Sequence, residues 1–298
     1  MGYAVSSPHV VALNVHPVKS CAIRPVRTAT VERAGFADDR RWMVVDADAR
    51  LVSAREVHRL FSVVPDTAHT SAEVSVGLRL RAPGLPDLHL DGDESPGGLR
   101  DGHHDTDGVI DVRLHRHDLT GALVSPEADA WVSTAAGRPG LRLVRCVDPT
   151  ARALNPAFSS EGDHTAYADG YPVTLASRTS LARLNDWIAE AAVERGESVP
   201  EPLPMQRFRP NVVVDGELEP FVEDSWGRVR LGDVTFRVAK PVDRCVMTTI
   251  DLDSLATGKE PIRTLARHRR WDGATWFAVQ LIPDGTGVVR VGDEVAPD

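Results

Sequence analysis

The sequence predicts a β-rich α+β protein of 298 residues, and three observations support this fold class. Short apolar segments rich in Val, Ile, Leu and Thr recur along the chain and are bounded by Gly, Pro, Asp or Asn, as strands joined by turns are. Only three segments, near 125–136, 177–196 and 262–268, have the apolar spacing or capping residues of helices. No Gly-x-Gly-x-x-Gly follows a strand, so a Rossmann-type nucleotide fold is not expected.

The composition limits the class of protein and its partners. The formal net charge is -9, which argues against a general nucleic-acid or anionic-membrane binder, because attraction to phosphates needs an excess of Lys and Arg. The three cysteines, Cys21, Cys146 and Cys245, are too far apart for a Cys-x-x-Cys zinc site and too few for a disulfide framework. With no signal-peptide pattern and no long apolar run, the chain is predicted to be soluble and cytoplasmic, without a membrane partner.

The first strand is predicted at 10–15 and ends where Pro17 interrupts the β pattern. Lys19 and Ser20 then follow in a loop. A lysine gives positive charge and a serine gives a short hydroxyl donor, so the pair suits an anionic ligand. A solvated surface lysine is the alternative.

Further strands are predicted at 28–33 and 42–46, with Arg40 and Arg41 directly before the second. An arginine at the mouth of a strand can bind a phosphate through two parallel hydrogen bonds. The alternative is a surface network of Asp38, Asp39 and the two arginines that contributes little to stability.

An insert at 94–108, rich in Gly, Asp and Ser, separates the next strands and carries His103 and His104. Together with His115 and His117 these histidines raise the possibility of a zinc site. Their spacing matches no zinc module, so a solvated turn is the favoured interpretation.

A helix is predicted to begin after Ser125 as N-cap, with proline as its first residue, and to end at Gly137. A strand at 141–146 follows. We predict two domains, an N-terminal one at 1–122 and a C-terminal one at 123–298.

The second half contains a strand at 171–176, after which Ser177 is predicted to cap a helix ending at Gly196. Hydroxyls at a helix N-terminus suit an anion, although an ordinary N-cap is the default interpretation. Arg207, Arg209 and Asn211 then precede a strand, with no acid nearby in sequence to neutralise them.

Cys245 lies where a polar turn meets an apolar run, and this pattern predicts a loop that leads into a strand. Arg244 is its neighbour, and the hydroxyls of Thr248 and Thr249 lie close enough in sequence to support a thiolate. Such a cysteine suits a nucleophile or a ligand to a soft metal. The alternative is a small buried hydrophobic residue.

Five segments, in this order, resemble MOSC-domain proteins that carry the N-terminal MOSC β-barrel domain, the family of the mitochondrial amidoxime-reducing component and its bacterial relatives. The resemblance covers nearly the whole chain. The segments are His-Pro-Val-Lys-Ser-Cys at 16–21, Asp-Arg-Arg-Trp at 39–42, the stretch 175–185, Arg-Phe-Arg-Pro-Asn at 207–211 and the stretch 244–258.

This resemblance implies an N-terminal mixed β domain and a C-terminal distorted β-barrel with a few helices, with a molybdopterin-type molybdenum cofactor in the cleft between them. It implies that Cys245 is the catalytic residue and the protein ligand to molybdenum. It also implies that the pterin and its phosphate are held by Lys19, Ser20, Arg40, Ser177, Arg209 and Asn211.

Three functions remain open at this point. The leading one is a molybdenum oxidoreductase that reduces N-hydroxylated or N-oxygenated small molecules with electrons from a separate ferredoxin, flavoprotein or cytochrome-type protein. The second is a carrier of the molybdenum cofactor, or of a persulfide on Cys245, without turnover. The third, a cysteine hydrolase, needs a histidine base, for which His164 and His268 are candidates.

Overall fold

The structure is a computed structural model that describes residues 7–90 and 108–298. Within these residues there are nineteen strands, three α-helices and five short 3-10 helices, which confirms the β-rich α+β class. None of the helices described is long and apolar enough to cross a bilayer. The His103-His104 insert lies outside the described residues.

The strands of the first half are His9–Val15 (β1), Arg24–Val26 (β2), Thr28–Glu32 (β3), Gly35–Phe36 (β4), Trp42–Val45 (β5), Val64–Asp66 (β6), Leu78–Arg81 (β7), Leu88–Leu90 (β8), Val109–Leu114 (β9) and His117–Leu123 (β10). Those of the second half are Arg142–Cys146 (β11), Val173–Ser177 (β12), Val212–Asp215 (β13), Arg228–Leu231 (β14), Val234–Asp243 (β15), Arg270–Trp271 (β16), Ala274–Pro283 (β17), Gly287–Arg290 (β18) and Val295–Pro297 (β19). The α-helices are Pro126–Ala136 (α1), Arg178–Glu194 (α2) and Ile262–His268 (α3).

The main sheet has nine strands in the order β19-β14-β15-β17-β12-β13-β1-β2, with β16 paired to β17. Neighbours are antiparallel except β12 and β13, which run parallel. Its strands bury Val, Leu and Phe side chains in one core, as their apolar sequences predict. The two end strands do not pair with each other in the described residues, so this sheet is open, without the closure of a barrel.

A second sheet has the strand order β5-β11-β10-β9. Together with α1 it forms the other large core. The helix ends are those that the sequence predicts. The Ser125 hydroxyl accepts the backbone N–H of Ala128 at 3.1 Å, and Gly137 ends α1 in a left-handed conformation at φ 66°. Because β10 and β11 lie side by side, this sheet includes strands from both sides of position 122. The domain boundary between 122 and 123 stays a prediction of the sequence.

Long-range pairing joins the two halves of the chain. Strand β1 lies in the main sheet, where Leu13 is opposite Val212. Near the C-terminus, β18 pairs with β3, with Val289 opposite Ala29. As a result, loops from both halves meet around one cleft.

The strand predicted after Cys245 is not formed. Strand β15 comes before this residue, and a 3-10 helix, Val246–Thr249, comes after it. The Thr248 hydroxyl donates to the Cys245 carbonyl at 3.0 Å and the Thr249 hydroxyl to the Val246 carbonyl at 2.7 Å. These local bonds from side chain to backbone compete with strand pairing, and here they stabilise the turn.

Candidate functional site

The loops that follow β1, β4, β5 and β15, together with those that precede β12 and β13, surround a polar cleft. Six basic side chains and two carboxylates line it: Lys19, Arg40, Arg55, Arg207, Arg209, Arg244, Asp169 and Asp243. The whole chain has a net charge of -9, so this local excess of positive charge is the reverse of the average surface. A cleft with such a field attracts an anion.

Cys245 is half-buried in the cleft wall, which also contains Arg55 and Arg244. Arg55 lies within hydrogen-bonding reach of the thiol. Burial lowers the pKa of Arg55, but the interactions with Cys245 and Asp169 outweigh it and leave that pKa raised. Arg244 also lies close to the sulfur: its Nη2 donates to the Phe208 carbonyl at 2.7 Å, and burial lowers the pKa of Arg244 to about 10 against the opposing effect of Cys245. Arg55 and Arg244 are therefore the two cations beside a thiolate, whereas the nearby threonine hydroxyls bond to backbone carbonyls.

Lys19 is 4% exposed and forms part of a charged group in the cleft. Its Nζ donates to the Tyr167 carbonyl at 2.8 Å and to Asp169 Oδ1 at 2.7 Å. Burial lowers the pKa of Lys19 to about 8, against the opposing effect of Asp169. The same Asp169 oxygen lies 3.2 Å from His115 Nε2, and the aspartate side chain is 60% exposed towards the cleft. Desolvation by the cleft walls opposes ionisation of Asp169, but Lys19 and His115 hold its pKa well below the usual range.

Three residues of the cleft have left-handed backbone conformations, which residues other than glycine rarely adopt. They are Ser20 at φ 70°, Arg40 at φ 51° and Arg209 at φ 51°. Such conformations cost on the order of 1–3 kcal/mol each, and they cluster at functional sites, where the surrounding structure maintains them. All three residues also belong to the set predicted from the sequence.

Asn211 lies directly behind Arg40 and is fully buried. Its Oδ1 accepts from Arg40 Nη1 and from the Thr174 backbone N–H, both at 3.1 Å, and its Nδ2 donates to Asp39 Oδ1 at 3.0 Å. Asp39 also contacts Arg40, and although burial opposes ionisation, Arg40 and a hydrogen bond from His16 lower the pKa of Asp39 to about 2. Asn211 therefore positions Arg40 and is not part of the cleft lining.

Ser177 also lies outside the cleft lining. It is fully buried, and its hydroxyl accepts the backbone N–H groups of Thr179 and Ser180 at 3.1 and 3.3 Å. This is the geometry of an N-cap, the default interpretation of the sequence.

Arg209 has no hydrogen-bond or ion-pair partner for its side chain within residues 7–90 and 108–298. Its guanidinium lies 5.5 Å from the centroid of the Phe61 ring. Burial and the charge of Arg40 lower the pKa of Arg209 to about 10. Arg209 is half-buried, and a partly desolvated cation without an ion-pair partner is unfavourable, so this position is suited to a bound anion.

Two family models match the two halves of the chain. Residues 7–139 match the MOSC N-terminal beta barrel domain, and residues 162–296 match the MOSC domain. The chain is 30% identical over 299 residues to the mitochondrial amidoxime reducing component 2 of Rattus norvegicus, covering 94% of this chain and 80% of that protein. This chain belongs to the MOSC family.

Other relatives of this MOSC protein have two kinds of name. The mitochondrial amidoxime-reducing component 1 of Xenopus laevis is 28% identical over 95% of this chain and 80% of its own length. The molybdenum cofactor sulfurase of Oryza sativa subsp. japonica is 27% identical over 93% of this chain, which spans 33% of that protein. Among solved structures, the YUAD protein of Bacillus subtilis is 10% identical and aligns over 99% of this chain and 97% of its own, with a TM-score of 0.37.

Five of the seven predicted site residues of the MOSC protein line the cleft: Lys19, Ser20, Arg40, Arg209 and Cys245. The sequence did not indicate Arg55 or Asp169, since their partners are distant in the chain, and it named His115 only for a possible zinc site. The expectation that the arginines before β13 have no acid nearby is wrong for Arg207, whose Nη2 lies 2.7 Å from Asp251 Oδ2.

The histidines proposed for a hydrolase lie elsewhere in this MOSC protein. His268 stacks on Trp187 with ring centroids 4.4 Å apart, and His164 Nδ1 bonds to the Gly162 carbonyl at 2.8 Å. His115 is the histidine of the cleft lining. In the described part of the chain, no three His, Cys, Asp or Glu residues are grouped as metal ligands.

Proposed function

We propose that this MOSC protein binds a molybdenum cofactor in the cleft and reduces N-hydroxylated or N-oxygenated small molecules. The observation that carries the proposal is the juxtaposition of the Cys245 thiol with the unpaired guanidinium of Arg209 in one cationic cleft. The names of the relatives, amidoxime-reducing component and molybdenum cofactor sulfurase, support both the cofactor and the substrate class.

The residues of the cleft fit a pterin cofactor that carries a metal and a phosphate. A thiolate suits a soft-ligated metal, and Cys245 would be the protein ligand. Lys19, Ser20, Arg40 and Arg209 would hold the pterin and its phosphate through charge-assisted hydrogen bonds. The buried Gln280 Oε1 lacks a donor in the described structure and could accept one from the pterin. Asn211 and Ser177 would act from behind the wall, by positioning Arg40 and by capping α2.

When bound, the cofactor would supply two-electron oxygen-atom transfer. Reduction of an amidoxime to an amidine breaks the N–O bond, consumes two electrons and two protons, and releases water. The electrons would come from a separate ferredoxin, flavoprotein or cytochrome-type protein. Lys19, with a pKa of about 8, keeps a proton at Nζ near neutral pH, and Asp169 holds this ammonium group and the His115 ring on one wall.

The test is the metal and pterin content of protein purified from a host that makes the cofactor. We expect about one molybdenum and one pterin per chain in the wild type, loss of both in Cys245→Ala, and reduction of benzamidoxime by the wild type with a reduced viologen as donor. Cys146→Ala, which removes another half-buried thiol, is the matched control. A Cys245→Ala protein with full molybdenum and turnover would refute the assignment.

A carrier function is the second candidate, and the similarity to the rice molybdenum cofactor sulfurase favours it. It uses the same cleft residues but predicts stoichiometric cofactor binding with no turnover under any electron donor. Transfer of the bound cofactor to a cofactor-free molybdoenzyme, without benzamidoxime reduction, would decide for the carrier.

A further inference from the structure

A second recess adjoins the cofactor cleft, and we call it the arginine recess. Its polar lining consists of Arg50, Ser53, Arg55, Glu56, Arg113 and His115. Ser53, Arg55 and His115 also line the cleft, so the two spaces meet at these shared walls. Because Arg55 reaches the Cys245 thiol, a molecule that enters through the recess arrives beside this sulfur.

The backbone fixes the positions of the recess arginines. Leu51 N–H donates to the Arg113 carbonyl, and Arg113 N–H donates to the Ala49 carbonyl, both at 2.9 Å. Arg50 and Arg113 are thus held on adjacent, hydrogen-bonded segments at the open side of the recess. Both side chains are exposed, and the planar fork of a guanidinium suits the two-oxygen geometry of a carboxylate.

Among the three arginines of the recess, Arg50 is the one whose side chain has neither an acid nor the Cys245 thiol as a partner in the described residues. Arg113 Nε lies 3.5 Å from Asp118 Oδ1, Glu56 is paired outwards with Arg138 at 3.6 Å, and Arg55 is engaged with the thiol. Asp48 and Asp111 line the groove on the opposite side of the recess arginines. Nevertheless, across residues 7–90 and 108–298, no acid lies within ion-pair distance of the Arg50 side chain.

We propose that the arginine recess is a substrate subsite for a carboxylate, with Arg50 as its specificity-determining residue. The natural substrate is then an N-hydroxylated small molecule that also carries a carboxylate, oriented with its N–O group in the cleft. The Arg50 guanidinium has neither an acid nor the thiol as a partner, and its planar pair of N–H groups matches the two oxygens of a carboxylate. For the reduction itself, this inference rests on the proposed function.

The kinetic test compares benzamidoxime with 4-carboxybenzamidoxime, which differ only in the carboxylate. The wild type should have the higher kcat/KM with the carboxylate. Arg50→Gln should lower the ratio of the two kcat/KM values by about tenfold, the size expected for loss of a charge-assisted hydrogen bond. The control Arg290→Gln, an exposed arginine on β18, should leave the ratio unchanged. Added salt should reduce the wild-type ratio of the two kcat/KM values, because the recess is open to solvent and its charges are screened.

A binding measurement separates the subsite from the reaction. Calorimetric titration with 4-carbamoylbenzoate and benzamide, which contain no N–O bond, should give tighter binding of the carboxylate, lost in Arg50→Gln. If neither amidoxime is reduced but this binding still depends on Arg50, the subsite stands and the proposed reduction fails. If benzamidoxime is reduced but Arg50→Gln changes both substrates equally, or if the carboxylate has no advantage, the subsite proposal is overturned and the proposed reduction stands.

Discussion

Replacing Arg209 by Met should stabilise the cofactor-free protein while it weakens cofactor binding. The Arg209 side chain is half-buried without an ion-pair partner in the described structure, and desolvation together with Arg40 lowers its pKa to about 10. A depression of this size corresponds to a penalty of about 3 kcal/mol in the free energy of folding at neutral pH. Loss of the contact with the Phe61 ring offsets roughly 1 kcal/mol of the gain. The net expectation is a stabilisation of about 2 kcal/mol.

Arg207→Met is the matched control, because it lies on the same turn but is paired with Asp251. The two variants should change stability in opposite directions. Urea unfolding of the cofactor-free proteins measures the free energy, and a thermal scan should show Tm raised by about 4 °C for Arg209→Met. Molybdenum content, measured in parallel, should fall in this variant. If Arg209→Met destabilises the cofactor-free protein as Arg207→Met does, then Arg209 is not an unfavourable unpaired cation in the absence of the cofactor.

Two further predictions concern the cleft and the wall behind it. The folded pKa of Lys19, about 8, lies below the unfolded value of about 10.4, so the unfolded chain binds more protons between these pH values and stability should rise with pH across that window. Between pH 7.5 and 10, the free energy of unfolding of the wild type should rise by roughly 2–3 kcal/mol, and this rise should be absent in Lys19→Met. Identical pH profiles of the two proteins would contradict the burial of a charged Lys19. Ser177→Ala should lower the free energy of unfolding by about 1 kcal/mol, as loss of an N-cap does, while molybdenum content is retained. Loss of the metal from a folded Ser177→Ala protein would show that the hydroxyl contacts the cofactor.

Local features of this fold were predictable because local contacts produce them. The ends of α1 follow from Ser125 and Gly137, and α3 has the predicted bounds. The error after Cys245 has the same origin, since the apolar, β-branched run favours a strand, whereas the threonine hydroxyls fold back onto the backbone. Secondary-structure propensity alone does not decide between the strand and the turn that the hydroxyls stabilise.

The charge pairing of the cleft could not be predicted, because each pair joins distant parts of the chain. Lys19 is paired with Asp169, 150 residues later, and Arg207 with Asp251, 44 residues later. The motifs located Lys19, Arg40, Arg209 and Cys245, but only the folded chain distinguishes the paired cations from the unpaired Arg209. For the same reason, the contact between Arg55 and Cys245 has no sequence signature.

The pairing of β3 with β18 also bears on when the cleft can first exist during synthesis. Strand β3 is complete at Glu32, but its partner ends at Arg290, close to the C-terminus. At roughly 5–20 residues per second, the ribosome needs on the order of tens of seconds to add the intervening chain. Until then β3 lacks one neighbour, and the cleft loops that its pairing helps to align are not held together. The protein therefore has a high contact order, and cofactor insertion should follow the synthesis of β18.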